Sequence, residues 1–491
     1  MEPKSRVSLV AGAGPLTRRE RGTRLAIVAA ALLAMLGLGG CTSEPDGEGE
    51  KAEPRWNILF VLADDLGWNQ VGYHGTEFYE TPNIDGIARD GMSFTDAYAA
   101  AAICSPTRAS LMTGKFPARL HLTDFIAGGH FPYARLKVPE WTKFLPLEEI
   151  TIAEALKPAG YVSGHFGKWH LNKDKKYEPG RPMDPGSQGF DAVFTSVKPS
   201  SDADPTKDAH HVEEITEHAL AFLEENRDLP FFAYVTHHVV HRPLHEHPEL
   251  IAKYEAKPGA DQPENNPVMG AMVERMDTST GRLLRKLDEL GIAERTIVAF
   301  YSDNGGLESL QDQKPLRGGK AMLYEGGIRV PLAVRWPGVV AAGSQSSVPV
   351  SSIDFFPTLL EIAGIPLEAG DVDGESLVPL LKQSGSLQRD ALYWHYPHYH
   401  HQDTNLAPSG AIRQGDFKLI EWFEQSAQGL ERPVSLFNLA DDIGEEHDLA
   451  EEMPEKAEEM LEKLRAWQEA VGAQGMEPNP DYDPKRAKEK L

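Results

Sequence analysis

The 491-residue chain is long enough for one large domain and a smaller one, and with 41% hydrophobic and 25% charged residues it can bury a sizeable core. It carries 74 acidic against 49 basic side chains, a formal charge of −25. So acidic a surface disfavours nucleic acid and anionic membrane as general partners, and an anionic ligand must be held by a local basic pocket.

Arg18, Arg19, Arg21 and Arg24 precede an apolar run from Leu25 to Leu38 that closes in Leu38-Gly39-Gly40-Cys41. The run is short for a membrane-spanning helix. The pattern resembles a bacterial lipoprotein signal over residues 1–40, with Cys41 left as the lipidated first residue. This implies an exported protein, lipid-anchored to a bacterial membrane and facing the periplasm or the cell surface. Residues 1–40 hold six basic and two acidic side chains, so their removal takes the formal charge from −25 to −29. Residues 41–55, rich in Glu, Gly and Pro, form a flexible tether.

From Asn57 to Ala63 the chain is continuously apolar and is stopped by Asp64-Asp65, the pattern of a parallel strand buried on both faces. Phe231 to Thr236 and Thr296 to Ser302 repeat the form, and Asp303-Asn304 stops the second. Thr151-Ile152-Ala153-Glu154 is a capping box opening a helix, and 212–226 and 268–290 have helical spacing. Strands alternating with helices predict an α/β fold, a large and mostly parallel sheet sandwiched by helices, over 56–385. Ligands of such sheets collect beyond the carboxyl ends of the strands. The composition shifts after Leu381. Short strand patterns at 391–396, 411–414 and 417–422, a hairpin turn at Gly415-Asp416 and an amphipathic helix at 451–471 predict a smaller C-terminal α+β domain with an antiparallel sheet over 386–475. Residues 476–491 read as a charged, frayed tail.

The chain has two cysteines, Cys41 and Cys104. Cys104 opens Cys104-Ser105-Pro106-Thr107-Arg108 where a helix should begin. Asp64, Asp65, Asp303 and Asn304 offer three carboxylates and an amide oxygen, a hard-oxygen set suited to Ca²⁺ or Mg²⁺. Either pair alone reads equally as a strand-ending turn. His237, His238 and His241 cluster after the Phe231 strand. His395, His398, His400 and His401 lie in a His/Tyr-rich stretch without ligand spacing, read as a sugar-facing loop. Trp141, Trp169, Arg242 and Arg413 are candidates to contact a glycan or plain packing residues. Glu445-Glu446-His447-Asp448 reads as a solvated turn.

From about Trp56 to the C-terminal region the chain resembles the type I, formylglycine-dependent sulfatases of the alkaline-phosphatase-like superfamily. Cys104-Ser105-Pro106-Thr107-Arg108, continuing to Gly114, is similar to the family's first motif, and Gly164-His165-Phe166-Gly167-Lys168-Trp169-His170 to its second. Asp64-Asp65, Asp303-Asn304 and Gly318-Gly319-Lys320 match its other fixed points in order. The resemblance implies a sulfuric ester hydrolase holding one divalent metal, Ca²⁺ ahead of Mg²⁺, on Asp64, Asp65, Asp303, Asn304 and residue 104. It also implies that a separate maturation enzyme oxidises Cys104 to formylglycine, whose hydrate attacks sulfur and then expels sulfate. Arg108, Lys168, His170, His241 and Lys320 would surround the sulfate. His241 would protonate the leaving alcohol, with His238 as the alternative, because Val240 stands where the family often has proline. The implied substrate is a sulfated polysaccharide or oligosaccharide carrying galactose or N-acetylgalactosamine sulfate. Two rivals are a phosphonate monoester or phosphodiester hydrolase of the same superfamily and a non-catalytic glycan-binding lipoprotein.

Overall fold

The apolar runs expected as strands lie side by side. In chain order the main sheet contains β1 (Asn57–Ala63), β2 (Met92–Phe94), β3 (Val162–Gly167), β4 (Ala192–Thr195), β5 (Phe231–Thr236), β6 (Thr296–Ser302), β7 (Leu332–Arg335) and β8 (Ser344–Ser346). Their spatial order is β8-β2-β7-β6-β1-β5-β3-β4. Only β7 runs antiparallel to its neighbours, β2 and β6. The computed structural model describes residues 55–173, 177–368, 370–400, 408–427 and 433–490. Residues 1–54, with the expected signal and Cys41, and His401 lie outside the described residues.

Alternate residues of β1 point into two cores, which is why the run has no polar interruption. Ile58, Phe60 and Leu62 pack on the side of α2 (Cys104–Thr113) and Phe355–Ile362. Leu59, Val61 and Ala63 pack on the side of Pro82–Arg89, Val212–Glu225 and Pro267–Glu289. Each helix thereby covers one face of the sheet. The capping box forms as expected: Thr151 Oγ1 accepts from the Glu154 N–H at 3.2 Å and Glu154 Oε2 from the Thr151 N–H at 2.9 Å.

Parallel pairing decides where the chemistry falls. Ala63 is in register with Ser302, Leu62 with Thr236, and Gly167 with Thr236. The carboxyl ends of four adjacent strands, β6, β1, β5 and β3, therefore finish together. The residues that follow them, Asp303-Asn304, Asp64-Asp65, His237-His238 and Lys168, meet at one edge although more than two hundred positions separate some of them.

A second sheet of four antiparallel strands, Ala391–Tyr396, Ser409–Gln414, Phe417–Trp422 and Val434–Asn438, follows in the order of the chain. Helix Pro454–Ala470 covers one face through Met460, Leu461 and Leu464. The other face, with Trp394, Tyr396 and Phe437, packs on Tyr98, Ala102 and Ile103, directly before Cys104.

The structure corrects two expectations here and decides between the two readings of Arg413. Residues 476–490 are not frayed: Glu477–Pro478 pairs antiparallel with Leu136–Lys137. Glu445 is not in a solvated turn: it is fully buried, pairs with Lys418 Nζ at 2.8 Å and accepts from the Glu325 N–H at 2.7 Å. Arg413 faces no ligand: it is buried against Asp96 at 2.5 Å and the Tyr98 hydroxyl. In each case a partner distant in sequence supplies what the local pattern lacked.

Candidate active site

Cys104 is the first residue of α2, a helix buried along its whole length. Ile103 before it is extended (φ −154°) and supplies no side-chain cap, so the first-turn N–H groups are left for another partner. Cys104 Sγ is in the place that the oxygens of an oxidised side chain would take. It lies 3.4 Å from Asp64 Oδ1, 3.8 Å from Asp65 Oδ1 and 3.3 Å from Lys320 Nζ. Burial, with the Asp303 carboxylate adding to it, pushes the thiol pKa well up and keeps it protonated. As a thiol it is a poor nucleophile there.

Ligand atoms of Asp64, Asp65, Asp303 and Cys104 all lie within 4.8 Å of one another, and all four residues are buried. Three cations face the three carboxylates. Lys168 Nζ is 2.7 Å from Asp64 Oδ2, Lys320 Nζ is 2.6 and 2.8 Å from the Asp65 oxygens, and Arg108 Nε is 2.8 Å from Asp303 Oδ2. Burial opposes ionisation of Asp65, but Lys320 and Lys168 outweigh it and hold its carboxyl far below the usual range. Burial and the neighbouring Asp64 raise Asp303. Asp65 takes a positive φ of 64°, and its N–H donates to Asp303 Oδ1 at 3.2 Å, so the two strand ends are tied through the backbone.

These residues fit a divalent cation. Asn304 Nδ2 donates to Asp65 Oδ1 at 2.8 Å while its Oδ1 is buried with no partner, an acceptor beside three carboxylates. The one soft atom of the set is Sγ, and replacing it by oxygen makes the set entirely hard. A +2 ion would turn a balanced site of three anions and three cations into a net positive one.

The cavity above this cluster has a volume of about 560 Å³, and Asp64, Cys104, Lys168, His170, His241 and Lys320 are in its lining. Arg108 is not. It is 1% exposed, donates through Nη1 to the Lys168 carbonyl at 2.8 Å, and has no partner at Nη2. His170 Nε2 donates to the Ile126 carbonyl at 2.6 Å. His241 Nδ1 lies 2.6 Å from the Arg242 carbonyl, so the neutral ring carries its proton there. Its Nε2 faces Asp65 Oδ2 at 3.9 Å. Burial and then Lys320 hold His241 well below the usual imidazole range, and burial does the same for His238. His238 also lines the cavity, but its Nε2 engages Ser196 Oγ at 3.1 Å.

Sequence reasoning missed Lys173, Lys198 and Lys490, which line the same cavity from loops and the C-terminal segment without any spacing to mark them. Of the His/Tyr stretch, His400 reaches the cavity. His398 is buried against Thr123, and His395 bonds the Gln474 carbonyl. Trp169 is plain packing, with its indole N–H on the Met183 carbonyl at 2.8 Å.

A mostly parallel sheet ending in a carboxylate cluster beside a buried cysteine at a helix start defines a hydrolase with a candidate metal site of the alkaline-phosphatase-like kind. The sulfatase family model matches residues 56–365, and a model described as N-sulphoglucosamine sulphohydrolase, C-terminal, matches 319–470. A sulfatase of Formosa agariphila is 31% identical over 85% of this chain and 89% of its own, and human arylsulfatase A is 30% identical over 84% and 87%. The solved structure of Ps i-CgsB in complex with k-i-k-neocarrahexaose is 26% identical with a TM-score of 0.70, over 87% of this chain and 94% of that one. The phosphonate monoester hydrolase of Agrobacterium radiobacter, 21% identical with a TM-score of 0.63 over 84% and 96%, shares the fold. The chain belongs to the sulfatase family and is a sulfuric ester hydrolase.

Proposed function

We propose that this sulfatase cleaves sulfate esters of a sulfated polysaccharide or its oligosaccharides, with galactose or N-acetylgalactosamine sulfate as the unit attacked. Cys104 is its nucleophile after oxidation to formylglycine by a maturation enzyme, and Asp64, Asp65, Asp303, Asn304 and residue 104 hold one divalent ion, Ca²⁺ before Mg²⁺. The observation that carries this is Cys104 Sγ at a helix start within 4 Å of two buried aspartates and Lys320. Support for the sugar comes from human N-acetylgalactosamine-6-sulfatase, 32% identical over 69% of this chain and 68% of its own. Export and a lipid anchor through Cys41 complete the reading, with the enzyme facing the periplasm or cell surface.

The bound ion and the oxidised side chain together would supply an activated oxygen nucleophile. The chain's own residues do the rest. Lys168 and Lys320 would direct ammonium groups to sulfate oxygens, a charge-assisted contact from side chains that are themselves buried. The Nη2 of Arg108, without a partner, is one helical turn from residue 104 and can donate to an oxygen there. His170, held by the Ile126 carbonyl, lines the cavity in which the anion would sit. His241 enters neutral; the incoming anion favours a second proton on Nε2, which then passes to the leaving oxygen.

The test is the mass of the peptide carrying Cys104, purified from the native host or with a maturation enzyme, together with rates on matched sulfate and phosphate esters. The expected result is replacement of thiol by aldehyde and faster release of sulfate. An unmodified thiol supports a glycan-binding role instead, and preference for a phosphodiester supports the phosphonate or phosphodiester reading.

A further inference from the structure

Residues 477–490 are built onto the rim of the catalytic cavity. Asn479 Nδ2 donates to the Pro132 and Ala134 carbonyls at 2.8 and 2.7 Å, and the Asp483 N–H to the Tyr133 carbonyl at 3.2 Å. The Arg486 guanidinium sits 3.5 Å from the centre of the Tyr133 ring, and Arg135 Nη2 donates to the Tyr482 hydroxyl at 2.9 Å. The segment ends with Lys490 in the lining of the catalytic cavity. Between it and residues 127–143 lies a second cavity of about 940 Å³, which shares Ala127 with the first. Trp141, His130 and Lys137 line one side of it and Glu477, Asn479 and Asp481 the other.

Charge points the same way. Among the described residues, Asp64 is the one acidic side chain lining the catalytic cavity, and Lys168 already pairs with it. The exposed Lys173, Lys198 and Lys490 add three cations to its lining in a chain whose formal charge is −25. One sulfate is already faced by Lys168 and Lys320, so the outer lysines suit further negative charge on the same substrate. A half-buried tryptophan among polar groups suits the mixed apolar and hydroxyl faces of a sugar.

We propose that the segment 477–490 is a wall of the substrate cleft, and that the second cavity takes the sugar units beyond the sulfated one. The enzyme then prefers an extended glycan to a single sulfated sugar, with any further sulfate near the lysines of the catalytic cavity, since Glu140, Glu477 and Asp481 line the second. This deepens the glycan reading above and rests on it.

The experiment compares kcat and KM on 4-nitrophenyl sulfate and on galactose-sulfate oligosaccharides of two, four and six units. The proteins are the mature full chain, Trp141→Ala, Asn479→Ala and a chain ended after residue 475. In the full chain kcat/KM should rise at least tenfold with length through KM, and the variants should lose that gain with kcat on the hexasaccharide little changed. If the truncated chain does not fold, Trp141→Ala and Asn479→Ala decide. Parallel losses on the aryl ester and the hexasaccharide, or a length gain kept in the variants, would overturn the proposal alone. A full chain that cleaves the aryl ester and no oligosaccharide would overturn the glycan reading and the proposal with it.

Discussion

Lys168→Met removes one of the ammonium groups that balance the buried carboxylates. The lysine side chain is 3% exposed and its partner Asp64 0%, with 2.7 Å between Nζ and Oδ2. Methionine keeps the unbranched stem and most of the volume, so the change is mainly one of charge. Without an ion Asp64 loses its counter-charge, and breaking a buried pair from one side costs about 3–5 kcal/mol. A divalent ion on the same carboxylate supplies that charge. It also escapes repulsion by the ammonium, about 4 kcal/mol per pair of unit charges at ~4 Å and an effective dielectric of ~20. Stabilisation by the ion must therefore be larger in the variant than in the wild type, which gains about 2.7 kcal/mol at ~100 times Kd. Thermal unfolding in excess EDTA and in Ca²⁺ reads this directly. The variant should melt on the order of 5 °C below wild type in EDTA and close to it in saturating Ca²⁺. Activity should not recover with stability, because a donor to the sulfate is gone; kcat falls about 10²–10³-fold even at saturating Ca²⁺. Equal Ca²⁺-induced shifts in both proteins would refute the sharing of Asp64 by lysine and ion.

His241→Gln should slow esters of poor leaving groups by about 10²–10⁴-fold and 4-nitrophenyl sulfate far less, since a nitrophenolate needs no proton; equal losses on both would remove the acid role. Lys418→Met leaves Glu325 and Glu445 buried without the ammonium that lies 2.9 and 2.8 Å from them, and denaturant unfolding should show a loss of about 3–5 kcal/mol. Asp124 is buried and its pKa is raised to about 7 by that burial. The unfolded carboxyl ionises near 4, so between about pH 4 and 7 the folded state holds the extra proton and stability falls as pH rises, levelling above 7. Asp124→Asn should flatten that part of the pH–stability curve, and an unchanged slope would rule the assignment out.

The strands and the metal cluster were legible because each is a local pattern with a non-local consequence. An uninterrupted apolar run such as Ile58 to Ala63, stopped by Asp64-Asp65, suits a strand covered on both faces, and parallel register then brings Asp64, Asp303 and Lys168 to one edge. Cys104 was visible through the run Cys104-Ser105-Pro106-Thr107-Arg108, although Ile103 gives α2 no side-chain cap. Glu445, Arg413 and the C-terminal segment were not. Glu445 reads as solvent-facing until Lys418 and Glu325 are brought to it, and Arg413 until Asp96 is. Residues 477–490 have no periodicity of their own and take their order from the carbonyls of 132–134 and the edge at Leu136–Lys137. The choice between His238 and His241 is of the same kind: only packing turns one ring to Ser196 and the other toward Asp65. The elements and the chemistry at their ends are therefore legible from local spacing. Which charges are buried and what walls the cleft come from packing, because those depend on partners from other parts of the chain, tens to hundreds of residues away.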